Sequence, residues 1–168
     1  MENKALREAW LERAMEQYEE SLLRMCFVYL GDAQLAEDAV QETFLKAYRS
    51  LSGFRGEASE KTWLLRIAIN TCKDVRRGAW FRHVDRNVAL DQLREPSAPD
   101  AAFDDSLTRA VMALKPRYRA AVLLCYYKGL TGQEAAQALG VSRATVMNRL
   151  RKAKEQIKKA LEAWDDNA

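Results

Sequence analysis

The chain has 168 residues, 48% of them hydrophobic and 30% charged, with a net charge of +3. It is long enough for one ordinary domain or two small ones with a buried core, and no apolar run approaches the roughly 20 residues of a membrane span. Charges within the first ten residues (Glu2, Lys4, Arg7, Glu8) argue against a signal peptide, and a single histidine, His83, leaves no His-based catalytic or zinc constellation.

The three cysteines, Cys26, Cys72 and Cys125, are far apart and lie in apolar helical patterns. They read as reduced core residues, which fits a cytoplasmic protein without disulfides or bound metal. No paired acids, nucleophile constellation or phosphate-cradling loop is present, so neither an enzyme nor a cofactor is expected.

Glycine and proline are scarce and no alternating strand pattern persists, so the fold class is all-α. A first helix is predicted over residues 4–29, with Tyr18, Leu22, Met25, Cys26 and Tyr29 forming an apolar stripe at spacings of three and four. Gly31 ends it, and Asp32 caps a second helix over residues 33–51. There Leu35, Ala36, Ala39, Val40, Ala47 and Tyr48 can face inward. Glu37, Asp38, Gln41 and Glu42 make an acidic group that by default is a solvated face.

A loop with Gly53 and Gly56 follows. A third helix is predicted over residues 62–77, in which Trp63, Leu64, Ile67, Ala68 and Thr71 pack while Arg66, Asn70, Lys73, Arg76 and Arg77 project. Basic residues beside an aromatic suit unpaired DNA strands. The plainer reading is an amphipathic helix whose last turn is favoured by cations at the dipole's negative end. Periodicity then lapses through an acidic stretch with two prolines, Pro96 and Pro99, which reads as a linker. The expected domains are therefore residues 1–78 and 104–168, joined by residues 79–103.

In the second domain a short helix starts near Ser106. Pro116 opens another, running to Lys128, with Ala120, Leu123, Leu124 and Tyr127 buried. Thr131 and Glu134 form a capping box, Gly140 makes a left-handed turn, and Ser142 caps a last helix. On that helix Val146, Leu150, Ala153, Ile157 and Leu161 share one face. Arg143, Met147, Asn148, Arg151, Lys152 and Lys154 occupy the other. This is the pattern of a DNA-binding helix-turn-helix, although an ordinary helix pair with a solvated basic face shares much of it.

Charge is unevenly spread. Residues 1–78 hold 12 Lys+Arg against 13 Asp+Glu, residues 79–105 hold 3 against 6, and residues 106–168 hold 12 against 5. The excess of seven positive charges in the last segment places a polyanionic partner there.

These motifs, in this order, resemble the bacterial RNA polymerase sigma factors of the extracytoplasmic-function type. Residues 36–44 (AEDAVQETF) resemble the helix that docks on the polymerase clamp. Residues 54–57 (FRGE) and 62–70 (TWLLRIAIN) resemble the promoter-melting loop and the helix that reads the −10 element. Residues 114–119 (LKPRYR), with the helix-turn-helix, resemble the domain that reads the −35 element.

The resemblance implies a promoter-specificity subunit whose partners are core RNA polymerase, promoter DNA and an anti-sigma factor. It makes Asp38, Gln41 and Glu42 the polymerase-binding face. It assigns Arg66, Asn70, Lys73, Arg76 and Arg77, with neighbouring Trp63, to the −10 element. At the −35 element Thr145 and Arg149 match phosphate-contacting positions, and Met147, Asn148, Arg151 and Lys152 match positions facing bases, with Arg143 beside them.

Two departures stand out. Glu60 occupies a place near the melting loop where the family often has an aromatic or apolar residue, and Met147 occupies one where a basic residue is frequent. Because a phosphate backbone repels a carboxylate, Glu60 is expected not to touch DNA. Its loss is expected to leave promoter opening unchanged or improved, with Phe54, Lys61 or Trp63 compensating. The rival readings are a helix-turn-helix regulator that works without polymerase and an adaptor that binds only protein.

Overall fold

A computed structural model describes residues 3–86 and 106–166, with side chains described for residues 3–79 and 106–163. The described residues form helices joined by short turns: α1 (Lys4–Leu30), α2 (Ala33–Ser50), α3 (Glu60–Arg86), α4 (Ser106–Met112), α5 (Pro116–Val122), α6 (Gly132–Leu139) and α7 (Arg143–Asp166).

The expected helix starts carry local hydrogen bonds. The Asp32 carboxylate accepts from the Leu35 N–H at 2.9 Å. Ser59 Oγ accepts from the Thr62 N–H at 3.0 Å and so starts α3 two residues earlier than the sequence pattern implied. The capping box at Thr131 and Glu134 is present in both directions, and Gly140 takes φ 68° to close α6. Ser142 Oγ accepts from the Thr145 N–H. Each such bond satisfies a backbone donor that a helix start leaves orphaned, worth about 1 kcal/mol.

Helix α1 packs on α2, and α2 on α3. The core between them is Leu22, Met25, Cys26 and Tyr29 from α1, Ala36, Val40, Phe44 and Ala47 from α2, and Leu64, Leu65, Ala68, Ile69 and Cys72 from α3, all buried. The Cys26 and Cys72 sulfurs lie 3.2 Å apart as free thiols. Hydrogen bonding to Cys26 and burial push the Cys72 thiol far up. In the second half α4, α5 and α6 pack against α7, around Val111, Tyr118, Leu123, Leu124, Ala135, Leu139, Val146 and Leu150.

Two expectations about elements are corrected. Helix α3 does not stop at Arg77; it runs through Gly78 to Arg86. A mid-helix glycine costs only about 1 kcal/mol, and Gly78 has no helix-stopping residue after it. The rest of the expected linker, residues 87–103, lies outside the described residues. Tyr127 is not buried. Residues Leu123–Tyr127 form a π-helical turn, which adds a residue to the turn and rotates Tyr126 and Tyr127 outward, to 52% and 41% exposure.

The two halves touch. Helix α3 packs against α6, and the buried side chains form one continuous cluster through both halves. Polar bonds cross the seam. Arg119 donates to the Tyr29 carbonyl, and also at 2.7 Å to Leu114 O in its own half. Lys61 Nζ donates to Lys128 O at 2.8 Å, and Lys128 Nζ donates to Ser21 O at 2.8 Å and to Ser21 Oγ.

Burial pushes the Lys128 amine down to about 8 from its ordinary 10.5, and the nearby Lys61 and Arg24 charges add to the shift. Between those two values the unfolded chain binds more protons at this site than the folded one, so stability should rise with pH there. Denaturant melts of the parent protein and Lys128→Met are expected to diverge in slope between about pH 8 and 10.5, with the variant showing the flatter pH dependence.

Candidate nucleic-acid and polymerase interfaces

The packing leaves three polar faces outside. On α2, burial of Ala36, Ala39, Val40 and Thr43 turns the opposite side outward. Asp38 and Gln41 are exposed and Glu42 is half-buried. Asp38 accepts from Gln34 Nε2, one turn earlier, at 3.1 Å. These three side chains share a face at spacings of three and four.

On α3, burial of Leu64, Ala68, Thr71 and Cys72 fixes which side projects. Arg66, Asn70, Arg76 and Arg77 are exposed, and Lys73 and Trp63 are half-buried. Trp63 does not stand free. Its ring lies edge-on to Trp10, with centroids 5.9 Å apart, and against Phe54 at 4.7 Å. Trp63 and Arg66 border two hollows. One, about 340 Å³, is lined also by Lys46, Ser50 and Asn70. The other, about 560 Å³, opens onto Phe54, Arg55 and Glu57 of the loop. Each is large enough to admit a flat ring beside an aromatic wall.

The far end of the α3 face meets the second half. Asn70 Nδ2 points at Ala138 O at 3.5 Å, a marginal contact. Lys73, Arg76 and Arg77 share a cleft with Arg117 and Arg149. Lys73 is pushed below its ordinary value, first by burial and then by the charges of Arg149 and Arg77. Arg77 is offset by Asp74 at 2.5 Å.

On α7, Val146, Leu150 and Ala153 are buried, and Arg143, Met147, Asn148, Arg151 and Lys152 are exposed. Thr145 and Arg149 are half-buried at the margin. Arg151 is already engaged, with Glu155 at 3.0 Å and with Asn148 Oδ1 at 2.9 Å. Exposed pairs of this kind are worth under about 1 kcal/mol, so a base edge can displace them. Met147 lies across Gly132: a Cβ added there would sit 3.2 Å from its sulfur.

Sequence reasoning missed the seam. Thr62 Oγ1 donates to Glu134 Oε2 at 2.8 Å. The carboxylate that completes the helix-turn-helix cap therefore also holds the start of α3. It lies below its ordinary value, chiefly because of the Thr62 bond. Sequence reasoning also missed the partners of Glu60, which come from α1.

Residues 14–82 match the family Sigma-70 region 2, and residues 104–157 match Sigma-70, region 4. The chain is 33% identical over 161 residues to the RNA polymerase sigma-H factor of Pseudomonas aeruginosa, covering 86% of this chain and 82% of that one. It is 34% identical over 164 residues to the ECF RNA polymerase sigma factor SigL of Mycobacterium tuberculosis, covering 94% and 93%. The chain belongs to the extracytoplasmic-function RNA polymerase sigma factors.

It is thus a transcription initiation factor that acts with core RNA polymerase and promoter DNA. The fold agrees. The sigma factor RpoE from Bartonella quintana, solved in complex with the anti-sigma factor NepR, superposes with a TM-score of 0.78 at 21% identity, over 90% of this chain and 96% of that one. No helix among the described residues is long and apolar enough to cross a membrane.

The geometry of α7 sets an expectation for its two kinds of residue. Replacing Arg151 or Lys152 with alanine should change the preference at particular −35 positions, by about 1–3 kcal/mol each. Replacing marginal Arg149 should weaken all sequences alike and flatten the salt dependence. Promoter use across a −35 mutant library, at two salt concentrations, checks both.

Proposed function

We propose that the three exposed faces divide the work of promoter-specific initiation. Asp38, Gln41 and Glu42 on α2 dock on core polymerase. Arg66 and Asn70, with Trp63 and the loop before α3, take the unpaired strand of the −10 element, while Lys73, Arg76 and Arg77 follow its phosphates. Arg143, Asn148, Arg151 and Lys152 read the −35 duplex, flanked by Thr145, Met147 and Arg149. The residues between α3 and α4 connect the two readers. The chain supplies no catalytic group of its own, and it works in the cytoplasm, where core polymerase and promoter meet. Its activity is held in check by an anti-sigma factor, as the pairing of RpoE with NepR suggests.

One observation carries this reading. The same packing that buries the apolar sides of α2, α3 and α7 leaves one acidic and two basic faces outside, and the α3 face adjoins hollows walled by Trp63. A duplex-binding regulator needs only the α7 face. A protein adaptor needs neither basic face.

The test is the α2 face, which a regulator working alone would not use. The variant combining Asp38→Ala, Gln41→Ala and Glu42→Ala should keep its circular dichroism spectrum, since two of the sites are exposed and none is buried. It should bind core polymerase at least about tenfold more weakly, a loss of roughly 1.4 kcal/mol. Run-off transcription with core polymerase should depend on the added chain and fall with the variant. A specific footprint by the free chain as a dimer would favour the regulator.

A further inference from the structure

The first three turns of α1 lie before the region 2 match, which begins at residue 14. They nevertheless carry a row of side chains at intervals of three, Arg7, Trp10 and Arg13, all turned towards the α2–α3 connection. Arg7 donates to the Tyr48 carbonyl at 2.6 Å and stacks over the Tyr48 ring at 4.5 Å. Trp10 Nε1 donates to Glu60 Oε2 at 3.0 Å. Arg13 grips the same carboxylate with both terminal nitrogens, at 3.1 and 2.8 Å. Trp10 also meets Trp63, which in turn meets Phe54.

These contacts bracket one segment. Tyr48 lies at the end of α2, Glu60 at the start of α3, and residues 51–59 run between them. Within this segment Phe54 lies against Trp63 and Ser59 caps α3. The segment contains no buried residue, and the short helical turn Leu51–Gly53 ends at Phe54. A bidentate arginine–carboxylate pair fixes direction as well as distance.

We propose that Arg7, Trp10 and Arg13 form a brace that positions the promoter-melting loop, with Glu60 as its anchor on α3. These are positioning residues: they act through Glu60, Trp63 and Phe54 rather than on DNA. The inference rests on the reading of that loop and α3 as the −10 site. It also explains how this chain tolerates a carboxylate there, because Glu60 is turned into the protein and offset by Arg13. The Arg13 hydrogen bond, helped by the Trp10 N–H, holds its carboxyl below the ordinary value against partial burial.

The brace reverses the expectation from sequence for Glu60. If only charge near the DNA backbone mattered, Glu60→Ala would leave or raise opening, Arg13→Ala would lower it, and the double variant would return to the parent level. A brace predicts that both single variants lose, and that the double variant is no worse than either single, because the same contact is lost each time.

The experiment measures open-complex formation by permanganate reactivity of −10 thymines, with holoenzyme made from the full chain at saturating concentration. Each of Glu60→Ala, Arg13→Ala and the double variant should fall about fivefold, with core affinity unchanged. Trp10→Phe, which keeps the ring contact with Trp63 and loses only the N–H donor, should fall less and in the same direction. It serves as the readout should an alanine variant fail to fold.

Asn70→Ala is run alongside. If it lowers opening while the Arg13 and Glu60 variants do not, the brace is wrong and the −10 site stands. If Asn70→Ala also has no effect, the −10 reading itself fails, and the brace with it. Opposite effects of the two single variants that cancel in the double would replace the brace with simple charge.

Discussion

Helix α3 is the member on which the rest of the structure depends, because it is packed from two directions. Leu64, Leu65, Ala68, Ile69 and Cys72 bury it against α1 and α2. Its other flank meets α6, where Thr62 holds the Glu134 carboxylate. Fully burying a leucine or isoleucine contributes roughly 1.5–3 kcal/mol, whereas a net hydrogen bond contributes about 1 kcal/mol. The apolar side therefore decides how α3 is rotated, and the polar seam decides what lies over it. Once the rotation is fixed, Arg66 and Asn70 have no inward alternative, and Trp63 is left at the margin where its ring can border a hollow.

Polar bonds across the seam accompany the apolar cluster that runs through both halves. Arg119, Lys61 and Lys128 donate to main-chain carbonyls, and Thr62 donates to a carboxylate that already serves as a cap. Such bonds can be exchanged for water without leaving a charge stranded in a core. The same cannot be said of Cys26, Met25 or Tyr29, whose exposure would open the first three helices. The fold thus joins its halves through one apolar cluster, with exchangeable polar bonds along the seam.

Much of this was legible in the chain itself. The helix-turn-helix could be read because its information is local: Thr131 and Glu134, Gly140, and Ser142 set starts and stops within a few residues, and the apolar row from Val146 to Leu161 repeats at the helical period. The two corrections also have local causes, seen only with hindsight. Gly78 has no stop residue after it, and the π-turn at Leu123–Tyr127 carries no sequence mark. What stayed hidden is tertiary. Nothing near Glu60 names Arg13 as its partner, 47 residues away. Nothing near Thr62 names Glu134, 72 residues away. The row Arg7, Trp10, Arg13 went unread, because which face it meets depends on how α1 crosses the α2–α3 connection.

The nearness of Asn70 to Ala138 is also a matter of length. Two promoter elements named for positions 25 steps apart lie roughly 85 Å from each other along a straight duplex, at about 3.4 Å per step. In the arrangement described, α3 and the helix-turn-helix lie side by side, like a calliper with its jaws shut. Two helices in contact therefore do not by themselves reach both elements of a straight duplex.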